Sequence, residues 1–178
     1  MNKRIVFSGS GGQGVITAAI ILAEAASLYE NLNAVQTQSY GPEARGGATR
    51  ADVIISEAAI RHPKVINPHI LICLTQEAYN KYAGIVRPGG LMLTDMKYVK
   101  IDYKVDARQV ELEMYQSVME KIGKPIVFNI CMLGALIELT GLVKQDSILK
   151  VLKEKIGPDF MTMNQAALET GIQLARAI

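Results

Sequence analysis

The chain has 178 residues, 49% hydrophobic and 20% charged, which suits one soluble domain with a substantial core. Nineteen basic against seventeen acidic residues leave a net charge of +2, too balanced to make nucleic acid or an anionic membrane the main partner. No tryptophan and three phenylalanines give no platform for stacking bases. The two cysteines, Cys73 and Cys131, sit far apart in apolar runs. Their spacing fits neither a zinc site, a redox pair nor an iron–sulfur motif, so they read as buried reduced thiols. Met1 to Arg4 leads into no secretory segment, and Val15 to Ala26 is too short to span a membrane and contains Glu24. A cytoplasmic protein is expected.

In chain order, Ile5 to Phe7 is a short buried strand, followed by the glycine loop GSGGQG from Gly9 to Gly14. Val15, Ala18, Ala19, Leu22 and Ala26 repeat at helical spacing, which predicts a helix from Gly14 to about Glu30. Ala34 to Gln38 is the second strand. Ser39 to Ala48 is a loop by its glycines and proline. Thr49 to Ser56 is a third strand, His69 to Leu74 a fourth, Gln76 to Tyr82 a short helix and Leu91 to Thr94 a further strand. Tyr98 to Val105 alternates weakly and reads as an edge strand. Val110, Met114, Val118 and Ile122 share one face of an expected helix over Ala107 to Ile122. Further helices are expected over Ile126 to Thr140, Ser147 to Ile156 and Thr162 to Ala177, with Asp146 and Thr162 as caps. Strands alternating with helices, then helices clustering, predict an α/β fold: a three-layer α/β/α sandwich with a Rossmann-like glycine loop after the first strand.

The chemistry concentrates in two loops. Gly9, Gly11 and Gly14 have the spacing of a dinucleotide-binding turn, which aims backbone N–H groups and a positive helix end at an anion. The same glycines also suit a tight strand-to-helix turn with no ligand. The acid expected about 20 residues on, to hold a ribose hydroxyl, is missing. Gln36, Thr37 and Gln38 stand there instead, which speaks against NAD. Gln13, a long amide inside the turn, is placed to donate to a ligand or clamp a neighbouring loop. The second loop, SYGPEARGG from Ser39 to Gly47, carries Tyr40, Glu43 and Arg45 and leaves the second strand beside the first loop. Arg45 and Arg50 are candidate bidentate donors to phosphate or carboxylate. Asp52 reads as a local partner for Arg50, and Asp95 as a strand-end cap or ligand group. His62 and His69 share no helix face with a carboxylate, so a metal pair is not expected. Asn129 and Asn164 read as loop partners or internal caps. Met114, Met119, Met132, Met161 and Met163 read as core filler. No serine, histidine and acid are spaced as a nucleophilic triad.

GSGGQGV at Gly9 to Val15 and SYGPEARGG at Ser39 to Gly47 resemble the gamma subunit of 2-oxoacid:ferredoxin (acceptor) oxidoreductases. NICMLGAL at Asn129 to Leu136 and NQAALETG at Asn164 to Gly171 match its C-terminal pattern, so the resemblance covers essentially the whole chain. The second motif is most like the 2-oxoglutarate and branched-chain branches. The resemblance implies a complex that oxidatively decarboxylates a 2-oxoacid to an acyl-CoA and reduces ferredoxin. Thiamine diphosphate, Mg and iron–sulfur clusters would belong to alpha-, beta- and delta-type partner subunits, with no cofactor bound by this chain alone. This chain would help assemble the complex and position coenzyme A, with Gly9, Gly11, Gly12, Gln13, Gly14, Tyr40, Glu43 and Arg45 carried over as binding rather than catalytic residues. It would be inactive alone and would pair with itself when isolated, through apolar helical surface at its C-terminal third. A branched-chain 2-oxoacid (ketoisovalerate) or indolepyruvate oxidoreductase subunit, a free-standing Rossmann-type enzyme using NAD or S-adenosylmethionine, and a ligand-free interaction module are the competing readings.

Overall fold

The computed structural model describes residues 1–39 and 47–178. Tyr40, Glu43 and Arg45 lie outside the described residues. Six strands among the described residues form one sheet: β1 (Asn2–Gly9), β2 (Asn33–Gln38), β3 (Thr49–Ser56), β4 (Ile70–Cys73), β5 (Gly90–Asp95) and β6 (Ala107–Leu112). Their order is β2-β3-β1-β4-β5-β6. β1, β4, β5 and β6 run parallel, whereas β3 is antiparallel to both β1 and β2. The first two strands are therefore not neighbours. β3 returns between them, with Thr49 opposite Gly9 and Ser56 opposite both Asn2 and Asn33.

The helices are α1 (Val15–Tyr29), α2 (Gln76–Tyr82), α3 (Met114–Lys121), α4 (Phe128–Thr140), α5 (Gln145–Lys155) and α6 (Pro158–Arg176). Strand side chains alternate between two cores. Ile5, Phe7, Val53, Ile55, Ile72 and Leu93 face the layer of α1, α3, α4, α5 and α6. Val6, Ile54, Leu71, Cys73 and Met92 face α2 and its flanking segments. This is the expected α/β sandwich with helices on both faces. Buried on both faces, Ile70 to Cys73 reads as an unbroken apolar run rather than an alternating one. α4 is apolar nearly all round and is buried from Phe128 to Ile137, packed against α6, α1 and α3.

Three expectations are corrected. Ala107 to Leu112 is strand β6, paired with β5 from Gly90↔Ala107 to Asp95↔Leu112, and only Met114 to Lys121 is helical. Sequence distance had joined Val110 to Met114 and Val118 at helical spacing, but Val110 and Leu112 also alternate at strand spacing, and pairing on the open edge of β5 wins. Tyr98 to Val105 belongs to no strand; β6 occupies the edge instead. Asp146 and Thr162 are not caps: α5 is preceded by Lys144, with Asp146 in its first turn, and α6 begins at Pro158, after Gly157. Proline at the first helical position costs nothing there, because that N–H has no intrahelical acceptor. Asp146 still suits its place, opposing the helix dipole and pairing with Lys150 at 2.9 Å.

Candidate functional site

β1 ends at Gly9, and the chain turns through a 3₁₀ segment, Gly11 to Gln13, into α1. Each glycine has a separate physical reason. A Cβ at Gly9 would lie 2.6 Å from Gln13 Oε1 and 3.2 Å from Leu74 Cβ, so packing excludes a side chain there. Gly14 has φ +71, and a Cβ would meet Asn129 Nδ2 at 2.6 Å. Gly11 and Gly12 differ: a Cβ at either would meet nothing within 4 Å, and neither has a left-handed φ. Their bareness keeps a space open above the turn without serving the internal packing.

Gln13 holds the turn in shape. Its Oε1 accepts from the Ser10 backbone N–H at 2.8 Å, and its Nε2 donates to the Leu74 carbonyl at 2.9 Å. The amide thus clamps the glycine loop to the end of β4, the second of the two roles its sequence position allowed. Asn129, in the first turn of α4, donates from Nδ2 to the Gly14 carbonyl at 3.2 Å. It is the loop partner the sequence left open, and Asn164 is the internal cap, donating to the Phe160 carbonyl at 2.9 Å. Two helix N-terminal ends, those of α1 and α4, therefore meet at this turn, and the unpaired N–H groups of a first helical turn favour negative charge. Among the described residues, Ser8 Oγ, Thr94 Oγ1 and Asn129 Oδ1 are buried side-chain atoms with no hydrogen-bond partner. Ser8 and Thr94 share one row of the sheet through Cys73, at the C-terminal ends of parallel strands. Neither signalled itself in the sequence, because a lone hydroxyl in a strand has no motif.

The ends of the segment that carries Tyr40, Glu43 and Arg45 reach the same edge. Thr75, which caps α2 and follows Leu74, donates from Oγ1 to the Gly47 carbonyl. Ser39 donates its N–H to the Arg50 carbonyl at 3.0 Å. Arg50 itself is engaged inside the protein. Its Nε and Nη2 donate to the two carboxylate oxygens of Asp52 at 2.6 and 2.9 Å, and Nη2 also reaches the Val65 carbonyl at 2.7 Å. The guanidinium lies over the Tyr82 ring, 5.3 Å from its centroid. That overturns its reading as a ligand donor and bears out Asp52 as its partner.

The other candidates fall into place around this edge. Asp95 is fully buried and accepts from the backbone N–H groups of Lys97 and Tyr115 at 2.9 and 2.8 Å. It joins β5 to the start of α3, and burial raises its pKa against the pull of those N–H groups. Cys73 and Cys131 are buried free thiols whose pKa values burial pushes up, so neither is poised as a thiolate. Met114 and Met132 are fully buried core, Met161 and Met163 pack against it, and Met119 is exposed. Among the described residues no group of three or more His, Cys, Asp or Glu could hold a metal ion. No described helix is long and apolar enough to cross a membrane.

The chain thus combines an α/β sheet with a glycine loop that is clamped to β4 and open above Gly11 and Gly12, where β1 meets the N-terminus of α1. Residues 4–174 match the family described as pyruvate ferredoxin/flavodoxin oxidoreductase, and the chain belongs to that family. It is 44% identical, over 100% of its length and 96% of the relative's, to the 2-oxoglutarate synthase subunit KorC of Methanocaldococcus jannaschii. Its fold matches the crystal structure of a keto/oxoacid ferredoxin oxidoreductase gamma subunit from Geobacter sulfurreducens with a TM-score of 0.89, at 38% identity and 99% coverage of both chains. A 2-oxoglutarate:ferredoxin oxidoreductase from Magnetococcus marinus, solved with 2-oxoglutarate, coenzyme A and succinyl-CoA bound, shares the fold at TM-score 0.89 and 21% identity. This chain covers 31% of that one.

Proposed function

We propose that this chain is the gamma-type subunit of a 2-oxoacid:ferredoxin oxidoreductase acting on 2-oxoglutarate, and that its own task is to bind and orient coenzyme A. The observation that carries the reading is its full-length 44% identity to a 2-oxoglutarate synthase subunit. The glycine loop supports the second half. The open space over Gly11 and Gly12 is what a phosphate group would need to approach backbone N–H groups closely. The uncharged end of β2 agrees, since no nicotinamide ribose has to be held.

Coenzyme A supplies the thiol that takes up the acyl group. The chain's part is positional. Gly11, Gly12 and the first-turn N–H groups of α1 receive phosphate, with Tyr40, Glu43 and Arg45 proposed to complete the site. Gln13 and Asn129 keep the turn rigid from β4 and α4. Rigid placement of two reactants is a large effect, roughly 7–11 kcal/mol at its upper limit, so a subunit with no catalytic side chain can still govern turnover. Thiamine diphosphate, Mg and iron–sulfur clusters are assigned to alpha-, beta- and delta-type partner subunits, which act together in the cytoplasm.

The test is purification of the tagged chain from its own host, followed by assay for CoA-dependent reduction of a viologen dye by 2-oxoglutarate. Co-purifying thiamine-binding and ferredoxin-like subunits with that activity are expected. An isolated, inactive chain that binds NADH or S-adenosylmethionine tightly would overturn the reading. Within the complex, Arg45→Ala should lower CoA-dependent turnover while assembly persists; failed assembly would make the loop an interface instead.

A further inference from the structure

At the sheet end opposite the glycine loop, a cleft of about 480 Å³ opens under the C-terminal end of α4. Lys3, His69, Arg87 and Arg108 line it, with Leu139 and Leu142 as an apolar wall. These four come from the starts of β1, β4, β5 and β6, which are parallel and so begin at one edge. Lys3 and Gly9 are six residue steps apart along β1, which places the two ends about 20 Å apart at the rise of an extended strand. By strand alternation Lys3 shares the face of Ile5, and Arg108 that of Leu112 and Val110, all in the core beneath α4. Both cations therefore stand on the α4 side of the sheet.

The backbone fixes the other two. Gly90 donates its N–H to the Arg87 carbonyl at 2.8 Å, closing the Arg87–Pro88–Gly89–Gly90 turn, and the Arg87 N–H reaches the Pro68 carbonyl at 3.1 Å. Arg87 is thus held beside His69. The Arg4 backbone N–H donates to His69 Nδ1 at 3.1 Å, so in the neutral ring the proton sits on Nε2, which is left as a donor. Burial first, then Arg87, Arg4 and Lys3, lower the His69 pKa and keep the ring neutral.

Among the described residues, no Asp or Glu lines the cleft, and Lys3, Arg87 and Arg108 form no ion pair. In a chain with seventeen acids for nineteen bases, three unpaired cations around one cavity are a local concentration of charge. Their mutual repulsion is relieved by an anion of matching valence. A volume of about 480 Å³ falls within the range of small-molecule sites and suits a compact ligand. The C-terminal end of α4 carries partial negative charge, so anionic groups are directed to the Arg87 and Arg108 lip and away from that helix end. Leu139 and Leu142 cover the uncharged body.

We propose that this cleft is a second anion site, for a small diffusible molecule with at least two phosphate or carboxylate groups, separate from the glycine loop. The probe is inorganic pyrophosphate, titrated calorimetrically into the full chain at low ionic strength, with the His69 ring protons followed by NMR. The cleft is read by a shift of the His69 signals, with one binding event per chain expected in a Gly12→Ala background that closes the glycine loop to phosphate. Arg87→Gln combined with Arg108→Gln should weaken binding at least tenfold. Both side chains are exposed, so melting should be unchanged and loss of binding is not loss of fold. Gly12→Ala should leave this binding intact, which separates it from coenzyme A bound at the glycine loop. No binding at millimolar pyrophosphate, or equal affinity in the double variant, overturns the proposal. So does exclusive binding of an acidic peptide such as hexaglutamate, which would make the cleft a protein-docking surface.

Discussion

Gly171 of α6 stands so close to Cys131 of α4 that a Cβ added at 171 would lie 1.8 Å from the Cys131 carbonyl oxygen. The approach is mutual, since a Cβ at Gly134 of α4 would lie 2.1 Å from the Leu168 carbonyl oxygen of α6. The two helices touch backbone to backbone, which only paired glycines permit. The contact bears on the glycine loop because α4 carries Asn129, whose side chain donates to the Gly14 carbonyl.

Gly171→Ala should therefore destabilise, although alanine is the better helix former. In an open helix the exchange would gain roughly 0.5–1 kcal/mol. Here the methyl has backbone in its way, and overpacking of this kind costs about 3 kcal/mol, which for a chain of this size is a fall of roughly 6–12 °C in Tm. Calorimetric melting of the isolated variant reads it. An unchanged or raised Tm would mean that α4 and α6 separate at little cost.

That crossing also shows where the sequence was legible. NICMLGAL and NQAALETG stood out as motifs, and both glycines lie in them, yet nothing in either said that they face each other. Elements with a single strong period were readable: the apolar run of β4 and the helical repeat of α1. β6 was not, because Val110 satisfies a helical spacing with Met114 and a strand spacing with Leu112 at once. Strand order was hidden as well, since pairing β3 between β1 and β2 depends on long-range contacts. Of the site, Gln13 was visible as an odd amide among glycines, but its partner Leu74 is 61 positions away and an ordinary core residue by type. Arg50 was legible as a partner of Asp52, but the Val65 carbonyl and the Tyr82 ring that complete its engagement are distant in sequence and left it looking available to a ligand.

Gln13→Ala removes both arms of the clamp and leaves the Ser10 N–H and the Leu74 carbonyl without the partners they now have. Losing partners for part-buried polar groups costs about 1–3 kcal/mol. Gln13→Glu is the sharper probe. A carboxylate can still accept from Ser10 but cannot donate to Leu74, so it should keep the turn and lose the tie to β4. Both variants should melt lower than the parent, and in the assembled enzyme both should raise the KM for coenzyme A. If Gln13→Ala melts like the parent, the amide does not brace the turn.

His69 gives the fold a pH dependence with a definite sign. Its pKa is lowered by burial and then by Arg87, Arg4 and Lys3, so the unfolded chain binds this proton more readily than the folded one. The stability it contributes is present above the ordinary histidine pKa of about 6.5 and is lost as pH falls through the lowered native value. Denaturant midpoints measured from pH 7.5 down to 5 should fall in the parent and fall less in His69→Gln. Identical profiles would show that His69 titrates alike in both states.

Gly11 and Gly12 separate binding from folding. Because a Cβ at either position meets nothing within 4 Å and the backbone there is open to any residue, Gly12→Ala should fold as well as the parent, with a gain of up to about 1 kcal/mol from the stiffer unfolded chain. Gly14→Ala is its foil: φ is +71 and Asn129 Nδ2 would lie 2.6 Å away, so that variant should lose stability. If the space above the turn receives a phosphate, the Gly12 methyl group intrudes on it and coenzyme A affinity should fall at least tenfold with melting unimpaired. A Gly12→Ala complex that keeps its affinity would mean the glycine loop is a turn and nothing more, and that coenzyme A is held elsewhere.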